Sequence, residues 1–198
     1  MKLTEIHPPQ TPAARAAREL AAEYHSEAML NHTMRSWLWA EGIAAERSLP
    51  GVDHELLYVA ALLHDLGTVP EFDNHTLSYE EAAGHVGKAL TAGAGWEPAR
   101  RERVAEVIIR HNWTSVDPEF DLEGHLLELA TGLDITGANI EALPQVFLHE
   151  VIETYPRGSL ADEFSACVTD QARRKPATAA GRLVNNGLVE RMRRHPLE

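Results

Sequence analysis

Apolar positions recur at helical spacing along almost the whole chain. Thr11 followed by Pro12 reads as an N-cap with proline at the first helical position, and Ala13 through Ala22 continue as an Ala/Arg/Glu-rich helix. A second helix is predicted from about Glu27 to Arg47, with Met29, Leu30, Met34, Trp37, Leu38 and Ile43 as its apolar surface. Pro50–Gly51 marks a turn. Asp53 then caps a third helix expected to run to Leu66. Its Leu56, Leu57, Val59, Ala60, Ala61, Leu62 and Leu63 make it apolar nearly all round, which is the pattern of a central, buried helix. Gly67 stands where a C-terminal cap residue belongs.

Thr68 to Leu77 reads as a loop. Ser78 and Glu81 form a capping box for a helix reaching about Thr91, and Gly93 and Gly95 break it. Pro98 opens the next helix, where Val104, Val107, Ile108 and His111 follow the i, i+3, i+4, i+7 pattern. After the loop Asn112–Asp121 comes an apolar helix from Leu122 to about Thr136. Shorter helices follow around Gln145–Thr154, Ala161–Arg174 and Ala177–Arg193, punctuated by Pro144, Pro156 and Pro176. No alternating strand pattern of useful length is present. The expected fold is an all-α, single-domain helical bundle. Residues 1–10 form an N-terminal tail and 11–198 the domain, whose core spans about 27–139 with C-terminal helices over 140–198.

Composition narrows the functional classes. A chain of 198 residues with 44% apolar and 24% charged residues is an ordinary globular mix. The net charge of −12 argues against a nucleic-acid polymer as partner, because coating phosphates needs a basic field. A small-molecule substrate remains. The single cysteine, Cys167, cannot form an intrachain disulfide and excludes a Cys-based metal site; a reducing cytoplasm is the expected location. The longest apolar run, Leu56 to Leu63, is far too short to span a membrane, and Met1 to Gln10 lacks the apolar stretch of a signal peptide. Homodimerisation is left open.

Histidine is over-represented, with 11 against 4 each of Trp, Tyr and Phe. His64 and Asp65 fall in the last turn of the most apolar helix. A buried carboxylate there costs several kcal/mol unless it is paired or bound to a cation. The plain alternative is a His–Asp pair at a helix end, with the imidazole favoured by the helix dipole. Asp134 shares its helix face with Leu127, Ala130, Thr131 and Ala138, so it points inward. It either bonds Thr131 or caps a neighbouring helix, or it faces the same cavity as Asp65. His32 sits among Ala28, Met29 and Trp39 alongside Arg35 and Ser36. Alone it reads as a core histidine. Together, two imidazoles and two carboxylates from three helices suit a divalent metal with open positions for catalysis.

The order His32, His64–Asp65, Asp134 resembles the HD superfamily of metal-dependent hydrolases, named for its His–Asp doublet. Three stretches are similar to the cyanamide-hydratase-like branch of that family. They are Asn31-His32-Thr33-Met34-Arg35-Ser36; His64 through Glu71 followed by Ser78-Tyr79-Glu80 and Gly84; and Ile108 through His111 with Ala130 through Asn139. The resemblance covers about Ala13 to Asn139, with Tyr155-Pro156-Arg157 and Lys175-Pro176 as weaker extensions. The sequence departs from the branch at His85, where a glycine is expected, and in the loop Asn112–Asp121.

The resemblance implies that His32, His64, Asp65 and Asp134 hold a divalent transition metal (Zn, Fe, Mn or Co). Asp65 would also orient water or take its proton. His111 would serve as proton shuttle or support for a ligand, against a simple capping role. His85 is the other catalytic candidate, against a solvated-face histidine, and Glu71 lies in the pocket-side loop. Trp113 is placed near the site; Trp37, Trp39 and Trp96 are assigned to packing. The implied activity is addition of activated water to a small neutral substrate of the nitrile or cyanamide type. The alternative is phosphohydrolysis of a nucleotide or other phosphomonoester, with Arg35, Lys88 and Arg110 as the nearest cations.

Overall fold

The computed structural model describes residues 2–197. Ten α-helices carry the fold, and no strand occurs among the described residues. We number them α1 (Pro12–Tyr24), α2 (Glu27–Glu46), α3 (His54–Leu63), α4 (Tyr79–Gly93), α5 (Pro98–Arg110), α6 (Leu122–Thr136), α7 (Gln145–Thr154), α8 (Leu160–Arg174), α9 (Ala179–Asn185) and α10 (Leu188–Met192). Local chemistry sets several of these ends. Thr11 Oγ1 accepts the Ala14 amide at the start of α1. Ser78 and Glu81 make the reciprocal capping box at the start of α4. Gly137, in the left-handed region at φ +74°, terminates α6.

Helix α3 is the hub. Every residue from Leu56 to Leu63 is buried, as its unbroken apolar pattern demands. Helix α1 lays a stripe of small residues, Ala13, Ala14, Ala17 and Ala21, into the same core, and α2, α5 and α6 complete it. A second apolar cluster joins α8, α9 and α10 to Met29, Tyr79 and Ile135 of the main body. The site lies between these two clusters. The N-terminal segment is not loose: Leu3 and Ile6 pack on the main core, and the Leu3 amide donates to Glu150 Oε2 at 3.1 Å.

Three local expectations change. Helix α3 ends at Leu63, so His64 is its cap and Asp65 lies just beyond, in a tight turn continuing to Thr68. Gly67 is not a left-handed cap. A Cβ there would stand 2.0 Å from the Tyr79 carbonyl oxygen, so glycine is needed for close approach to the start of α4. The single helix expected over Ala177–Arg193 is two, broken at Gly187 with φ +76°.

The loop between these turns and α4 is held from α8. Asp73 accepts from Gln171 Nε2 at 2.9 Å and from Lys175 Nζ at 3.1 Å. The buried Lys175 ammonium also donates to the Asn74 and Leu77 carbonyls, each at 2.9 Å. The chain leaving the doublet is thereby tied to the C-terminal half of the molecule.

Candidate metal centre

His32 comes from the second turn of α2, and His64 and Asp65 come from the end of α3. Their ligating atoms lie within 4.8 Å of one another, and all three side chains are buried. His32 Nε2 and His64 Nε2 stand 3.1 Å apart, and Asp65 Oδ2 lies 3.3 Å from each.

The outer side of each ring fixes its tautomer. His64 Nδ1 faces the Ala61 carbonyl at 2.8 Å, and His32 Nδ1 faces Asp134 Oδ2 at 2.7 Å. His111, the C-cap of α5, likewise turns Nδ1 to the Ile108 carbonyl. Each Nδ1 therefore carries the proton, and three Nε2 lone pairs face inward. His111 Nε2 is 4.0 Å from Asp65 Oδ1, and its ring centroid is 4.7 Å from that of His64. Neither carboxylate oxygen of Asp65 has a hydrogen-bond donor among the described residues. Lone pairs converging on lone pairs, in a buried space, are stable only with a proton or a cation among them.

The electrostatics agree. Burial by itself lowers the His32 pKa, but the Asp134 and Asp65 carboxylates outweigh it and raise the group above its ordinary value. The same negative potential attracts a metal ion. The donor set of two imidazole nitrogens and a carboxylate oxygen suits a divalent transition metal. His111 is driven the other way, to about 3, by burial first and then by His64, so its ring is neutral and its Nε2 an acceptor.

Asp134 is not brought into this group. Its carboxylate sits behind His32. Arg35 clamps it in a bidentate pair, Nε to Oδ1 at 2.7 Å and Nη2 to Oδ2 at 2.8 Å. Trp39 Nε1 donates to Oδ1 at 2.8 Å, and His32 Nδ1 completes the set. Four donors occupy the four lone-pair positions of the carboxylate. Burial pushes the Asp134 carboxyl up, but Arg35 and the bond from His32 hold it well below the usual range. Thr131, one of the partners considered for Asp134, instead turns its hydroxyl back to the Leu127 carbonyl at 3.0 Å. Arg35 uses its remaining nitrogen on the Tyr155 and Pro156 carbonyls, both at 3.0 Å, and Arg157 donates to the Asp134 carbonyl.

His85 and Glu71 are not brought to the site either. His85 is exposed on α4 and lines a separate shallow groove with Phe72 and Leu77. It lies on the face of α4 away from the buried stripe Ala83, Gly84 and Gly87. Glu71 is exposed at the loop surface.

The triad opens into a cavity of about 150 Å³. His111, Tyr79 and Asn112 line it near the triad, with Asn112 Nδ2 donating to the Tyr79 hydroxyl at 2.6 Å. Phe164, Leu183 and Leu188 close it from the C-terminal helices, and Trp113, 47% exposed, stands at its edge. Glu128 and Arg191 also reach it, and neither was singled out by sequence reasoning. The cations considered for phosphate are engaged elsewhere: Arg35 with Asp134, Lys88 with Glu102 at 2.5 Å, and Arg110 with Asp121 at 2.6 Å. No helix among the described residues is long and apolar enough to cross a membrane.

Comparison with known proteins agrees with this architecture. The HD domain family profile matches residues 29–135, from the first turn of α2 to the last turn of α6. The chain is also similar to two proteins of Saccharomyces cerevisiae (strain ATCC 204508 / S288c), cyanamide hydratase DDI2 and cyanamide hydratase DDI3. Each is 30% identical over 175 residues, covering 86% of this chain and 77% of the relative.

Proposed function

Since the chain belongs to the HD domain family and is a metal-dependent hydrolase or hydratase, we propose that it hydrates a small neutral nitrile, of the cyanamide type, to the corresponding amide. The observation that carries this reading is the site itself: inward lone pairs in a small cavity from which Arg35, Lys88 and Arg110 are withdrawn. A cavity of about 150 Å³ holds a ligand of a few heavy atoms, below the usual range for larger ligands.

His32, His64 and Asp65 would hold the metal. A bound divalent cation lowers the pKa of a coordinated water toward neutrality and polarises the substrate. The chain's own groups do the rest. The carbonyl of Ala61 and the carboxylate of Asp134 lock the two ligand imidazoles in one tautomer and orientation. Neutral His111 presents Nε2 as an acceptor beside Asp65, which orients a water proton away from the reacting carbon. Tyr79, Phe164 and Leu183 exclude bulk water from the chamber. The net reaction adds the water oxygen to the nitrile carbon and its two protons to the nitrogen; cyanamide gives urea.

The test is direct. The purified protein is assayed for bound metal by elemental analysis, for urea from cyanamide, and for hydrolysis of p-nitrophenyl phosphate. Urea formation, absent in His64→Ala and Asp65→Ala, is expected. Phosphate release without urea formation, or urea formation that survives both substitutions, overturns the proposal.

A further inference from the structure

One wall of the cavity is a single stripe of α6. Glu128, Thr131, Gly132, Ile135 and Thr136 follow i, i+3, i+4, i+7 and i+8, the spacing of one helix face. Asp134 lies off this stripe, behind His32. The polar groups on the stripe share one property. Thr131 donates its hydroxyl proton to the carbonyls of Leu127 and Glu128, at 3.0 and 3.1 Å, and Thr136 donates to the Gly132 carbonyl at 2.8 Å. Their donors are spent on the helix, and only oxygen lone pairs face outward. Glu128 adds a half-buried carboxylate with no hydrogen bond or ion pair to any described residue. With Glu128 ionised, this wall offers acceptors and no donors.

Resting on the hydratase reading above, we propose that Glu128 and this acceptor-only wall select the N–H-bearing end of the substrate. The preferred ligands are then small neutral or cationic molecules with an amino or amidine group next to the reacting carbon. A desolvated carboxylate without a donor costs free energy that a ligand amine recovers. Burial raises the Glu128 carboxyl to about 7, as an unpartnered acceptor in this setting should show. An anionic ligand meets the opposite situation. Among the described lining residues only Arg191, on the exposed side of α10, brings a positive charge that is free of an ion pair. Glu128 is here a specificity-determining residue, and no proton transfer is assigned to it.

Two substrates of nearly equal size separate the idea from a general loss of function. Cyanamide carries an amino group where acetonitrile carries a methyl group. In the metal-loaded wild-type enzyme kcat/KM should favour cyanamide. Glu128→Met keeps the bulk and removes the acceptor. It should reduce the cyanamide-to-acetonitrile ratio on the order of tenfold or more, mainly through KM for cyanamide. Glu128→Gln, which keeps one acceptor oxygen, should fall between the two and serves if the methionine variant does not fold. A ratio unchanged within about twofold in a folded variant, or an equal loss for both nitriles, overturns the proposal.

Binding supplies a readout independent of turnover. Acetamidinium, titrated calorimetrically, should bind the wild type and lose affinity in Glu128→Met. Inorganic phosphate should bind the wild type weakly and gain in the variant. If neither nitrile is turned over but acetamidinium binding follows Glu128, the hydratase reading fails and the recognition wall stands. If acetamidinium affinity is indifferent to Glu128, the wall fails whatever the reaction.

Discussion

Asp65 and Asp134 are both 1% exposed, both on the route of His32, and chemically opposite. Asp134 is saturated: Arg35, Trp39 and His32 supply a donor for each of its lone pairs, and its charge is matched by a guanidinium. Asp65 has no hydrogen-bond donor on either oxygen among the described residues and faces two imidazole Nε2 atoms, each at 3.3 Å. A saturated buried carboxylate fixes geometry. An unsatisfied one, in a cluster of acceptors, is built for a ligand that brings positive charge. Exposure and residue type are identical in the two cases, so neither property separates scaffold from site; the count of donors does.

The largest stability effect expected from this contrast concerns Asp134. Asp134→Ala leaves the Arg35 guanidinium buried without its counter-charge. It should cost about 3–5 kcal/mol, a drop in Tm of roughly 10 °C for a chain of this length. Asp65→Ala, measured without metal, removes a carboxylate that faces only two imidazoles, each at 3.3 Å, and leaves no guanidinium unpaired, so its loss of stability should be much smaller. Equal losses for the two variants in metal-free thermal melts would break the distinction.

Glu128 is an intermediate case and gives a smaller effect. It is half-buried, and burial raises its pKa from 4.5 to about 7. The folded state thus holds this proton more tightly than the unfolded state. Ionising the group works against folding, so stability is lost as pH rises from about 4.5 through about 7. Glu128→Gln does not titrate. In the metal-free protein it should match the wild type at pH 4 and exceed it by about 1 kcal/mol at pH 8, allowing for solvent screening at a part-exposed site. Melts at the two pH values check this, and a difference independent of pH contradicts it.

The helices were legible because their signals are local. Caps such as Thr11, Asp53 and Ser78, and prolines such as Pro98, act within one turn, and the predicted ends of α4 to α8 lie close to the observed ones. The break at Gly187 was missed because Val184, Leu188 and Met192 continue a helical apolar pattern across it. The inward aim of Asp134 followed from its face, but its partners did not. Arg35 and Trp39 meet it across 99 and 95 residues of chain, and face arguments do not reach between helices. Arg35 reads as a phosphate anchor in sequence because an arginine beside a ligand histidine is ambiguous until its counter-ion is known. His85 sits one residue from the buried Gly84, and a shift of one position on a helix turns a side chain by about 100°. Glu128 and Arg191 carried no distinguishing signal, as charged residues on helices are ordinarily solvated. The α6 spacing 128, 131, 132, 135 was available as a clue, but only the closure of α9 and α10 makes that stripe a cavity wall.

The central claim is that His32, His64 and Asp65 bind the metal while Asp134 positions His32. Metal affinity in competition with a chelator tests it most directly, with the wild type beside Asp65→Asn and Asp134→Asn. Both substitutions keep shape and remove charge. The account predicts roughly one ion or more per chain in the wild type, loss of stoichiometric metal in Asp65→Asn, and retained metal with about 10–100-fold weaker affinity in Asp134→Asn. Retention by Asp65→Asn, or complete loss in a folded Asp134→Asn, would contradict it.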